Sequence, residues 1–185
     1  MTVRIVPLST PYTPDIETQL KHWMPPNAPI EPLALFRVMA HHPELMSRMR
    51  PLGAMLLSQH STLPRREREL IILRVCALCK CDYEWGVHVT SFGQAVGLSP
   101  DQLTNTASSI VDPSRWEEKE LLLFKVVETL HEQSNLDDNL FIAMSEHWST
   151  QQILEILVLI GWYRTISLIA NVSGVSNEGW AQVFL

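Results

Sequence analysis

The chain has 185 residues, 46% hydrophobic and 18% charged, a balance that excludes a disordered chain. Lys and Arg total 14 against 20 Asp and Glu, a net charge of −6. A phosphate backbone or an anionic membrane surface would repel that charge, so neither nucleic acid nor a membrane is expected as a partner. The opening stretch MTVRIVPLSTPYTP has a single Arg, no apolar core and three prolines by residue 14, so no signal peptide is expected. The most apolar run, Ile156 to Tyr163, lies between Glu155 and Arg164 and reads as a buried helix, not a membrane span. Cys76, Cys79 and Cys81 are an odd, clustered set, unlike a disulfide framework, and point to a reducing cytoplasm.

In chain order, residues 1–12 read as an extended arm. Thr13-Pro14-Asp15 starts a helix, with Thr as N-cap, Pro at the first helical position and an acid in the first turn. The proline-rich stretch 24–29 is a loop. A short helix follows over 33–40. His42-Pro43-Glu44 opens another that reaches about Gln59, with a break expected at Pro51. Leu63-Pro64-Arg65 starts a helix to about Cys79, apolar from Leu70 to Leu78 except for Arg74 and so buried on most sides. The next runs from about Asp82 to Val96, with Gly97 as its cap. Ser99-Pro100-Asp101 starts a short helix, and Asp112-Pro113 a long amphipathic one to about Gln133. A helix over 137–148 and a last one, capped by Ser149 and ending near Gly174, complete the chain. No alternating strand is found. The expectation is an all-α bundle of about eight helices in one domain, 1–185.

Two segments carry candidate chemistry, Arg68-Glu69-Leu70 and Cys81-Asp82-Tyr83-Glu84-Trp85-Gly86-Val87-His88. Cys81 falls at a helix start, where unpaired N–H groups favour a thiolate. Glu84 and His88 follow at i+3 and i+7, on the same face as Cys81. A thiol, a carboxylate and an imidazole on one face can make an acid–base site, with Glu84 holding one ring nitrogen of His88 and the other left for substrate. Such a trio also arises by chance. Glu69, on the apolar preceding helix, needs a partner, and His or Arg would suit; Arg65, Arg66 and Lys80 are alternatives. Cys76 and Cys79 read as small core residues. Trp85 is expected to line the site, and Trp116, Trp148 and Trp162 to pack between helices; His147 and Tyr163 read as interhelix packing.

Other motifs exclude more than they assign. Pro43 breaks the helix face that a metal-binding His41-His42 pair would need, and the Cys spacing matches no common zinc pattern. No phosphate-cradling glycine loop and no nucleophile elbow is present. No metal and no cofactor is therefore expected.

The pieces RERELIILR, CDYEWGVH and AVGLS, within a core motif over 63–98, resemble the carboxymuconolactone decarboxylase family, which includes the alkylhydroperoxidase D-like proteins. Gly161-Trp162-Tyr163 resembles a Gly-x-Tyr of the family. The resemblance implies that family's all-α helical-bundle fold and a homo-oligomer (dimer, trimer or hexamer). It also implies a site built from Glu69 as relay, Cys81 in the place of the first thiol, and His88. Glu84 stands where the peroxidase branch has its second Cys, so a dithiol cycle has no resolving thiol. The resemblance therefore implies decarboxylation or isomerisation of a small organic acid or lactone, catalysed by His88, Glu84, Glu69 and Cys81, with Tyr83 and Trp85 against the substrate. The alternatives are a single-thiol peroxidase using Cys81 and a non-catalytic ligand-binding or scaffold protein.

Overall fold

The computed structural model describes residues 2–26 and 28–184. Met1, at the start of the expected arm, and Asn27, in the expected loop, lie outside them. Among the described residues there is no strand; nine α-helices account for the architecture. They are α1 (Pro14–Trp23), α2 (Ala34–Met39), α3 (Pro43–Leu57), α4 (Arg65–Leu78), α5 (Asp82–His88), α6 (Pro100–Ala107), α7 (Glu118–Gln133), α8 (Asp138–His147) and α9 (Thr150–Ser173).

α4 is the hub. It packs against α5, α6, α7 and α9, and every residue from Arg68 to Cys76 is buried. A helix enclosed on all sides must satisfy its charged groups internally. Arg74 pairs with Glu128 at 2.5 Å and donates to the carbonyls of Thr106 and Ser108. Arg68 donates to the carbonyls of Leu56 and Ser58, which fastens the end of α3 to α4.

Helix boundaries follow local chemistry. Ser99 with Gln102, and Ser149 with Gln152, form capping boxes, and Asp137 caps α8. Gly97 and Gly174 end their helices in the left-handed region, at φ 73° and 67°. Three expectations are corrected. Pro51 does not break α3, which runs through it; Ser47, whose carbonyl loses its donor, is on the exposed side, where water can replace the bond. The helix expected from Asp112 begins at Glu118 instead, after a 3₁₀ turn at Pro113–Arg115. Trp116 is extended there, buried, and donates its indole N–H to Asn105 Oδ1 at 2.7 Å. Finally, α5 stops at His88 and continues as a π turn, Val89–Gly93, then a 3₁₀ turn to Val96.

α9 is long and apolar enough to cross a bilayer by length and composition, but its centre packs against α4. Ile156, Leu159 and Tyr163 are buried, whereas Leu157 and Val158 on the other side are exposed. The run read as a buried helix is buried on one side.

The arm crosses the end of α9, where Arg4 and Ile5 donate their N–H groups to the Ser173 carbonyl. The tail after α9 straps α5. Asn177 and the Phe184 N–H both donate to Asp82, and the Gln182 N–H donates to Thr90 Oγ1. Gly86 makes this approach possible, because a Cβ there would collide with the Gln182 carbonyl. Gly86→Ala is expected to destabilise the protein by about 1–3 kcal/mol. Thermal melting and limited proteolysis check it, the second reading release of residues 175–184.

Candidate active site

α5 projects its side chains in three directions, and one of them carries the imidazole and a carboxylate into a cavity. Glu84, Val87 and His88 face a cavity of about 280 Å³ enclosed by α1, α2, α3, α5 and α9. Ser91 and Phe92 extend that wall through the π turn. A π turn adds a residue per turn and rotates the side chains beyond it, here setting the Phe92 ring 5.2 Å from the His88 ring.

His88 is the centre of a buried cluster, 4% exposed. Its Nδ1 meets Glu69 Oε2 of α4 at 2.7 Å, its Nε2 meets the Tyr163 hydroxyl of α9 at 3.0 Å, and Glu84 Oε1 lies 3.5 Å from Nε2. Of the two carboxylates expected beside the ring, Glu69, one helix away, holds Nδ1. Burial opposes the charged ring, but the two carboxylates outweigh it, Glu69 foremost, and raise the His88 pKa to about 10. His88 is therefore an imidazolium near neutral pH, with both nitrogens donating. The Tyr163 oxygen accepts from Nε2–H, leaving its own O–H free to donate. Burial, then Glu84 and Glu69, hold that phenol well above its ordinary pKa, so it stays protonated.

Glu84 Oε2 is buried and has no hydrogen-bond partner. A carboxylate oxygen removed from water without a donor is costly and signals a polar group awaiting its counterpart.

The remaining expected residues lie elsewhere. Cys81 is fully buried and is not among the residues lining the cavity. Burial pushes its thiol up to about 12; the Glu84 N–H aimed at the sulfur opposes this but is outweighed. Desolvation thus exceeds the effect of the helix start, which favours a thiolate, and keeps the thiol neutral. Tyr83 faces away from the cavity, donating to Glu178 at 2.5 Å and accepting from the Leu35 N–H. Trp85 donates to Thr106 Oγ1 and lines a separate concavity of about 550 Å³ with Ala107 and the tail. That space has no titratable group on its wall, so the chemistry belongs to the smaller cavity. Glu178 ties Tyr83 to the start of α2 by accepting from the Ala34 N–H at 2.6 Å, a structural role. His42 caps α3 through Leu45 N–H, and His41 bonds the Val6 carbonyl.

Tyr163 and Trp162 are the site residues read as packing. Trp162 does pack, its ring against Gly53, where a Cβ would lie 2.7 Å from the indole, but it also forms the cavity wall. The Gly161-Trp162-Tyr163 piece was the signal that could have placed both.

The helical frame that encloses this carboxylate–imidazole pair across α4 and α5 is similar to that of alkylhydroperoxidase D-like structures. Solved structures share the frame. A peroxidase-related protein of uncharacterised function from Silicibacter sp. TM1040 superposes with a TM-score of 0.78 over 95% of this chain and 93% of its own, at 17% identity. An Agrobacterium tumefaciens protein of unknown function, described as a candidate antioxidant defence protein AhpD, gives 0.64 over 75% of this chain and 93% of its own, at 25% identity. Residues 43–128, from the start of α3 into α7, match the carboxymuconolactone decarboxylase family. No curated protein matches the chain significantly. Family and fold together cover decarboxylase-like and peroxidase-like roles.

Proposed function

We propose that this protein is a cofactor-independent acid–base enzyme, of the decarboxylase or isomerase kind, acting on a small organic acid or lactone. The observation that carries the reading is the unpartnered Glu84 Oε2 beside His88 at the inner end of the cavity. In this mechanism Glu84 takes a proton from the carbon next to a substrate carbonyl. The electron pair moves to the carbonyl oxygen, where Tyr163 O–H donates to the enolate and the His88 imidazolium, donating Nε2–H to the Tyr163 oxygen, strengthens that donor. Return of the proton at another carbon isomerises the substrate. Where loss of CO₂ forms the enolate instead, Tyr163 O–H gives the proton and takes one from His88 Nε2–H, and the imidazole is recharged from water. Glu69 holds the ring and its charge. The assay is a screen of small acids and lactones for turnover, and for exchange of carbon-bound protons with D₂O. No exchange and no turnover across the screen would favour a non-catalytic binding protein.

The buried, neutral Cys81 weighs against the single-thiol peroxidase. Cys81→Ser is expected to keep turnover within about twofold of the wild type, since the residue contacts no reacting group. The intact protein should also react slowly with peroxide and with thiol reagents at neutral pH. Fast peroxide consumption lost in Cys81→Ser would reverse the assignment.

We also propose a cytoplasmic homo-oligomer. Three free thiols support the reducing compartment. Leu154, Leu157, Val158, Leu168 and Val172 form an exposed apolar stripe along α9, continued on α8 by Phe141. Gly161 interrupts the stripe with nothing near it, leaving room for a second helix to approach closely. Light scattering should give more than the monomer mass, and Leu157→Glu with Leu168→Glu should return it to a monomer. A monomeric wild type would defeat the proposal.

A further inference from the structure

We propose that the substrate is an apolar-bodied carboxylic acid that enters carbonyl end first, leaving a carboxylate at the cavity mouth on Arg50. This rests on the acid–base reading above and specifies its substrate class.

The cavity has two polar ends and an apolar middle. Its inner end holds the buried Glu84 and His88, and its outer end the exposed Arg50 of α3. Between them the wall is Trp23, Phe36, Leu57, Phe92, Trp162 and Ile166. With Ser91 and His22 as the further polar side chains on it, such a wall offers little to a sugar or another many-hydroxyl substrate and favours a ring or a branched chain.

Arg50 is built into the mouth. It shares one face of α3 with Gly53, Ala54 and Leu57, at i+3, i+4 and i+7, and all four line the cavity. Its Nε donates to the His22 carbonyl at 2.9 Å, which fixes the guanidinium across the end of α1. Among the described residues no carboxylate forms an ion pair with it. A guanidinium held by one nitrogen still presents a flat pair of donors suited to a carboxylate.

Charge then sets the direction of binding. The inner end already carries Glu84 and Glu69 against the one imidazolium, so an anionic end is repelled there and attracted to Arg50. The neutral carbonyl end is left to accept from the Tyr163 O–H, which His88 backs. The volume, about 280 Å³, is at the small end of ligand sites and suits a single-ring or branched acid.

Tryptophan fluorescence reads binding directly, since Trp23, Trp162 and Trp180 line the cavity. The probes are phenylpropionate, its neutral carboxamide and acetate. The wild type should bind phenylpropionate about tenfold more tightly than the amide, the difference of one charge-assisted pair. Acetate should bind far more weakly. Arg50→Gln should weaken only the acid and equalise the two, and Arg50→Lys should restore part of the preference. Equal binding of acid and amide by the wild type, a preference that survives Arg50→Gln, acetate binding as tightly as phenylpropionate, or no binding by any probe overturns the proposal. The acid–base reading is judged separately, by turnover in Glu84→Gln. An acid preference with Glu84→Gln fully active would sink that reading and leave Arg50 as an anion-reading residue. Turnover lost in Glu84→Gln with no acid preference would sink only the present inference.

Discussion

Replacing His88 with Gln should lower turnover by roughly 10²–10⁴-fold, the usual contribution of a positioned acid or base. The side chain is similar in size, and its amide can still donate to Glu69. The fold, however, should feel the change. His88 and Glu69 are an ion pair buried at 4% and 6% side-chain exposure, and removing one charge leaves the other without compensation. Breaking such a pair costs about 3–5 kcal/mol. His88→Gln alone would therefore confuse a catalytic loss with a folding loss. The double variant Glu69→Gln with His88→Gln replaces the ion pair with two neutral amides and should recover much of the stability while staying inactive. Full turnover in a folded double variant would remove the acid–base assignment.

The same pair predicts how stability depends on pH. The His88 pKa rises on folding, from an ordinary 6.5 to about 10. Its stabilisation is fully present below about pH 6.5 and is lost as pH climbs through about 10. The melting temperature of the wild type should fall across that window, and the double variant should show a flatter profile. Equal slopes in the two would mean that His88 is not held charged by Glu69.

Much of the frame could be read from the sequence because helix ends are written locally. Ser99 with Gln102, Asp137, Ser149 with Gln152, and the glycines 97 and 174 each act within a few residues of themselves. The pairing of Glu69 with His88 was partly legible, since a carboxylate on the buried α4 requires a partner and His88 sits on the next helix, with Arg65, Arg66 and Lys80 as the alternatives. Tyr83 and Trp85 were misplaced by their nearness in sequence to Glu84. At about 100° per residue, a helix turns the immediate neighbours of a site residue away from the site. The π turn after His88, the extended Trp116 and the strap of residues 175–184 depend on tertiary contacts that no local pattern encodes. Tyr163 reaches His88 across 75 positions and lies beyond the family segment that ends at residue 128.

Glu84→Gln should separate catalysis from stability in the opposite sense to His88→Gln. Glu84 Oε2 is buried without a donor, while Oε1 stands 3.5 Å from His88 Nε2, longer than a good hydrogen bond. Glu84 adds to the charge that holds His88 protonated, second to Glu69, while its Oε2 bears the penalty of desolvation, about 1–3 kcal/mol for an unsatisfied buried group. An amide has the same shape and no charge, so the penalty shrinks. The melting temperature should hold or rise, at roughly 2–4 °C for each kcal/mol recovered in a chain of this size. Turnover and D₂O exchange should fall by roughly 10²–10⁴-fold, because an amide cannot take the proton. A residue that weakens the fold while serving only the reaction is the expected form of the stability–activity trade-off. If Glu84→Gln unfolds the protein, the side chain is structural and the base lies elsewhere. If the variant stays folded with full turnover, the proton is taken by another group, and the unpartnered oxygen of Glu84 serves binding alone.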